Sequence, residues 1–276
     1  MNDDASEPAR TQWMQRPEGR IGYDAEGTGP LVVWVPGMGE LRSAYRETVP
    51  ALVAAGFRVA TMDLRGHGDS DATFSSYDDV AAGGDVLALI ERLGGPAVVV
   101  GNSMGAGAAA WAAAECPELV SGLVLVGAFV RNPPMNPLVA LAFRAMMARP
   151  WAARVWAAYL PKLYPGRRPA DFAAHRDAIL ASMRRPGYAR AFSRTTRTSH
   201  APVEARLDQV SAPVLVVMGD SDPDFSDAAA EGRWIAGRLG GELVLVPGAG
   251  HYPQVEAPEL VNPAIVAFTG RVTSRA

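Results

Sequence analysis

Among 276 residues there is one cysteine, Cys116. A single thiol excludes an internal disulfide and a cysteine metal cluster, and it fits a reducing compartment. Lysine is equally scarce. Lys162 is the only one among 26 basic residues, and with abundant alanine this fits a GC-rich bacterial coding sequence. Positive net charge is also lacking: the formal charge is −3, which sets nucleic-acid binding aside. No long uncharged apolar run is present. The nearest, Pro137–Leu160, is interrupted by Arg144, Arg149, Pro150 and Arg154, so it reads as lid helices with a greasy inner face. Stable membrane insertion is therefore not expected. The opening Met1-Asn2-Asp3-Asp4 is polar and acidic with no apolar signal region behind it, so residues 1–17 read as a loose arm and the expected location is cytoplasmic.

Apolar residues, in contrast, make up 49% of the chain, enough for a sizeable core. Short β-branched runs recur at Leu31–Val35, Val59–Met62, Ala97–Val100, Leu123–Val126, Val214–Val217 and Leu243–Val246. Without polar alternation, they read as strands buried on both faces of a parallel sheet. Gly19–Glu26 adds an antiparallel strand or hairpin. Helices are expected near 43–55, 104–115, 227–239 and 258–269. Another is expected through Val86, Leu89, Ile90 and Leu93, with Asp85, Glu91 and Arg92 facing away and Ser76 or Asp79 as its cap. The alternation implies a doubly wound α/β sheet, with ligands at the carboxyl ends of its strands. It stops after Gly127 and resumes near Ala212. Residues 130–199 read as proline-broken helices, a cap inserted after the sixth strand into a core of residues 1–129 and 200–276.

Gly101-Asn102-Ser103-Met104-Gly105 joins the Ala97–Val100 run to a run of small residues. Strand, G-x-S-x-G, helix is the layout of a nucleophile elbow, which holds a serine on a strained turn. A serine hydroxyl needs a base, and the base needs an orienting group. Of four histidines, His251 follows the Leu243–Val246 run in a glycine-rich turn and is the chosen base. His67, in Asp63-Leu64-Arg65-Gly66-His67-Gly68-Asp69-Ser70, reads as part of a shaped loop near the pocket. His175 and His200 read as surface histidines of the cap or its exit. The acid follows Val214–Val217, where Asp222 is preferred over Asp220 and Asp224, which would cap the turn or the next helix. Oxyanion donors are expected from the N–H of Met104 and, in Val35-Pro36-Gly37-Met38-Gly39, of Met38.

In this combination and order the chain resembles the α/β-hydrolase family over about residues 19–270. The resemblance implies an eight-stranded, mostly parallel sheet, a Ser103–Asp222–His251 triad, and donors at Met38 and Met104. Two departures stand out. Most relatives have His-Gly where this chain has Pro36-Gly37, and Ala106 replaces a glycine that often follows the elbow.

The implied activity is hydrolysis of a small-to-medium hydrophobic carboxylic ester or lactone through an acyl-enzyme, with no metal or cofactor. Met146, Trp151, Trp156 and Tyr159 of the cap are the candidate substrate contacts. Two other reactions suit the fold: carbon–carbon bond hydrolysis, although the extended glycine-rich oxyanion motif is missing, and cofactor-free perhydrolysis. A non-catalytic ligand-binding or signalling protein is the reading from another class. Oligomeric state is left open, a homodimer included.

Overall fold

The computed structural model describes residues 11–133, 136–148 and 150–274. Residues 1–10 of the expected arm, Arg149 and Pro134 lie outside them. Eight strands form one sheet: β1 (Gln12–Arg16), β2 (Gly19–Glu26), β3 (Leu31–Val35), β4 (Arg58–Met62), β5 (Ala97–Asn102), β6 (Val120–Val126), β7 (Val214–Gly219) and β8 (Glu242–Val246). Their order across the sheet is β1-β2-β4-β3-β5-β6-β7-β8. The β1–β2 and β2–β4 pairs are antiparallel and all others parallel.

β1 corrects the expectation of a loose arm through residue 17. Met14 alone is buried there, paired with Ile21 of β2. One inward residue among polar neighbours gives too little periodicity to announce a strand.

Helices cover both faces: α1 (Val49–Ala54), α2 (Asp79–Leu93), α3 (Met104–Glu115), α4 (Pro137–Met146), α5 (Ala152–Tyr159), α6 (Phe172–Met183), α7 (Tyr188–Thr195), α8 (Ala201–Glu204), α9 (Ala228–Leu239), α10 (Pro253–Glu256) and α11 (Pro258–Thr273). Successive strand residues point to opposite faces. Val33, Val35 and Val99 accordingly share a cluster with buried residues of α2, α3 and α9. Val32, Trp34, Val98 and Val100 share the other with α1 and α11.

Two details of α2 differ from expectation. Its cap is Asp78, whose Oδ1 accepts from the Ala81 N–H at 2.9 Å, leaving Asp79 for a buried contact. Asp85 does not face away: it is fully buried and ion-paired with Arg16 and Arg65, at 2.9 and 2.6 Å. A carboxylate on an apolar face is tolerated when cations reach it, and these come from the end of β1 and the loop after β4, which helical periodicity does not register.

β3 lies between β4 and β5, so the chain leaves β3 to one side and later resumes on the other. In doubly wound sheets such a reversal marks the ligand crevice, at the carboxyl ends of the strands, here beside the loops after β3 and β5. Between β6 and β7, α4–α7 include no strand among the described residues. Their buried Trp156, Ile179, Met183 and Phe192, with Leu160 just after α5, pack with Tyr252 and Val255, which follow β8. Among the described residues no helix is long and apolar enough to cross a membrane.

Candidate active site

Ser103 stands between β5 and α3 with φ 57° and ψ −124°, the only non-glycine residue with positive φ among the described residues. The crowding around it explains its glycines. A Cβ on Gly101 would lie 2.3 Å from the Gly105 carbonyl oxygen, and one on Gly105 2.3 Å from that of Val35. Both contacts are with backbone and have no room to relax. Ser103 is buried to 6% exposure, and its Oγ makes no hydrogen bond among the described residues.

The loop after β3 comes against this serine. A Cβ on Gly37 would lie 2.7 Å from the Ser103 Cβ and 3.2 Å from its Oγ. The next N–H, that of Met38, donates to nothing among the described residues, and neither does that of Met104, the first residue of α3. Helix starts leave such donors free.

His251 is brought in from the turn after β8. Its carbonyl accepts from the Asn102 side chain at 3.2 Å, one residue before Ser103, and its N–H donates to Leu163 at 2.9 Å. Its Nδ1 lies 2.8 Å from Asp222 Oδ2 and 3.6 Å from Asp224 Oδ2. Burial works against the imidazolium, but Asp222 and then Asp224 outweigh it, and the ring is raised to about 9. Asp224 itself is pushed up, first by burial, and receives the Tyr159 hydroxyl. Asp220 lies apart and accepts from the Gly248 N–H at 2.7 Å, which braces the turn carrying His251. Asp222, Asp224 and His251 offer three ligand atoms within 4.8 Å of one another, but the short Asp222–His251 contact already occupies one of them.

The other histidines are buried too, which corrects the reading of His175 and His200 as surface residues. His175 on α6 lies 2.6 Å from Glu40, next to the loop after β3. His200 lies 2.6 Å from Asp79 and stacks on Phe129, which is also 6.0 Å from the His251 ring. Their partners stand 135 and 121 positions away in the chain, so no local pattern announces either pair. His67 accepts from the Gly39 N–H at 2.9 Å through Nε2, as fits a shaped loop at the crevice.

The four candidate contacts between β6 and β7 divide. Trp156 is buried and its indole N–H donates to the Gly39 carbonyl at 3.0 Å. Tyr159 is half-buried against Asp224. Met146 and Trp151 are instead about half exposed, and the Trp151 N–H donates to the Ala145 carbonyl. Sequence reasoning passed over Glu256. It accepts from the Gly250 and Gly166 N–H groups, at 2.7 and 2.8 Å, and so ties the His251 turn to the segment between α5 and α6. Burial raises its carboxyl to about 7.

This geometry can be set beside known proteins. The sequence profile described as "Alpha/beta hydrolase family" matches residues 32–264. The 2-(acetamidomethylene)succinate hydrolase of Mesorhizobium japonicum is 31% identical over 251 residues, covering 88% of this chain and 89% of its own. A thermophilic esterase from Thermogutta terrifontis, solved with malate bound, superposes with a TM-score of 0.81 at 26% identity, covering 96% of this chain and 99% of its own. The enol-lactonase from Burkholderia xenovorans superposes with a TM-score of 0.79 at 26% identity, covering 93% and 99%.

Proposed function

The chain belongs to the alpha/beta hydrolase family, and we propose that within it this protein is a serine hydrolase acting on a small-to-medium hydrophobic carboxylic ester or lactone. Ser103 Oγ attacks the carbonyl carbon while its proton passes to His251 Nε2. The carbonyl oxygen becomes an alkoxide and takes hydrogen bonds from the Met38 and Met104 N–H groups. As the acyl–oxygen bond breaks, His251 returns the proton to the departing alcohol. A water then loses a proton to His251 as it attacks the acyl carbon, and His251 passes that proton to Ser103 Oγ as the acyl–Oγ bond breaks and the acid leaves. Asp222 holds the imidazole with Nδ1–H toward itself, so that Nε2 is free to accept. These steps use side chains, main-chain amides and water.

The observation that carries the reading is the His251 turn. It is pinned by Asn102 beside a strained serine and is paired at 2.8 Å with Asp222. The hydrophobic substrate is supported by the aromatic side chains gathered near the crevice, Trp156, Phe192 and Phe129. Residues 130–199 act in this reading as its lid. The named activities of the esterase and lactonase neighbours point the same way.

The test is hydrolysis of aryl esters of increasing acyl length and of lactones, with Ser103→Ala as control. Wild type should turn over short and medium chains and be labelled by a serine-directed phosphonate, and Ser103→Ala should do neither. Undiminished turnover by Ser103→Ala overturns the reading.

A further inference from the structure

His67 is not placed to serve as the base, yet both its ring nitrogens are committed. Nδ1 lies 2.9 Å from the Arg65 carbonyl oxygen and Nε2 lies 2.9 Å from the Gly39 nitrogen. A carbonyl only accepts and a main-chain N–H only donates. One tautomer satisfies both: the neutral ring with its proton on Nδ1. Full burial favours that uncharged form by lowering the ring's proton affinity.

Gly39 is held on its other side as well. Its carbonyl accepts from the Trp156 indole at 3.0 Å, and at φ +70° a Cβ here would lie 2.5 Å from that ring. Two residues earlier, Gly37 is packed against Ser103. The peptide carrying the Met38 N–H therefore runs between two fixed points, one on the serine and one on His67 and Trp156.

We propose that His67, as the neutral Nδ1–H tautomer, is a positioning residue for the oxyanion site: by accepting the Gly39 N–H opposite Trp156, it fixes the loop from which Met38 offers its own N–H to the developing alkoxide. This rests on the reading of Met38 and Met104 as oxyanion donors. His67 touches neither substrate nor reacting atoms in this scheme. Its effect is confined to how well a preorganised donor meets charge that exists only in the transition state. It also gives the Asp63–Ser70 loop a purpose that the proposed chemistry leaves unassigned.

The experiment compares His67→Asn, His67→Gln and Trp156→Phe on the full chain. Asparagine places its amide near the position of Nδ1 and leaves the Gly39 N–H bare. Glutamine carries an acceptor out to the position of Nε2. Trp156→Phe keeps an aromatic ring but removes the donor to the Gly39 carbonyl.

His67→Asn should lower kcat about ten- to a hundredfold, less than the roughly hundred- to thousandfold cost of removing an oxyanion donor outright, because the Met38 N–H is displaced and not deleted. KM for a short aryl ester should hold. Affinity for an alkyl boronic acid, which forms a tetrahedral serine adduct, should fall by the same factor as kcat/KM. His67→Gln should recover most of both. Trp156→Phe should resemble His67→Asn, and the double variant should lose less than the product of the two, since both act on one peptide.

Equal loss in His67→Asn and His67→Gln, a loss confined to KM, or a loss that follows the fall in melting temperature would overturn the proposal. Wild-type-like kinetics in all three variants would do so too. Failure of the parent reading looks different: Ser103→Ala would retain turnover and the wild type would not take up the phosphonate.

Discussion

The Asn102 side-chain amide donates to the main-chain carbonyl of His251 at 3.2 Å and to that of Val126 at 3.1 Å. One buried amide thus joins the residue before Ser103 to the turn that carries the proposed base. Asn102→Ala leaves both carbonyls without this donor and loosens the His251 turn. We expect kcat to fall about ten- to a hundredfold, in line with the ~1–3 kcal/mol cost of an unpaired buried group. KM should change little. Steady-state kinetics decide this, and an unchanged kcat would show that Asn102 does not set the geometry.

The rate should depend on pH through His251. A base must be unprotonated, and Asp222 and Asp224 hold the ring's proton up to about 9. The kcat/KM should therefore climb through neutral pH with a midpoint near 9 and level off above it. Asp224→Asn removes a negative charge 3.6 Å from Nδ1 and should move the midpoint to lower pH. A profile flat from pH 5 to 8 in the wild type would argue against His251 as the base.

Gly105→Ala tests the sterics of the elbow. The added methyl would meet the Val35 and Pro36 carbonyl oxygens at 2.3 and 2.6 Å, so the turn must open. A destabilisation of about 1–3 kcal/mol is expected from such overpacking, together with loss of activity. Urea unfolding and ester turnover measure the two effects. A wild-type midpoint with full activity would show that the turn has slack.

Asp85→Ala removes the carboxylate that Arg16 and Arg65 share. Breaking a buried pair by deleting one partner costs about 3–5 kcal/mol, and these arginines, at 27% and 14% side-chain exposure, place the effect at the lower end. Thermal and urea denaturation check it. Because Arg65 also supplies the carbonyl that meets His67 Nδ1, a small drop in kcat should accompany the loss of stability.

The sheet was legible because doubly buried strands are written as plain β-branched runs. The elbow was legible because its steric demands fall within five consecutive residues. His251 and the acidic turn could be singled out because each follows such a run. Choosing Asp222 over its neighbours was harder, since Asp222 and Asp224 both approach the imidazole and differ by less than an ångström. The pairs Glu40–His175 and Asp79–His200 left no trace in the sequence, because each joins loops and helices that only tertiary packing brings together. Asp85 was misplaced for the same reason. β1 was missed because a single inward residue, Met14, carries it.

The helices between β6 and β7 separate Ser103 from Asp222 and His251 in sequence, while those two strands pair in parallel. A nick between α5 and α6 would thus leave the proposed nucleophile in one fragment and the proposed acid and base in the other. Neither half is expected to turn over an ester by itself. Under the proposed reading, re-zipping of the β6–β7 ladder would bring the three groups back together, and hydrolysis of a coloured ester would then report that two halves have met.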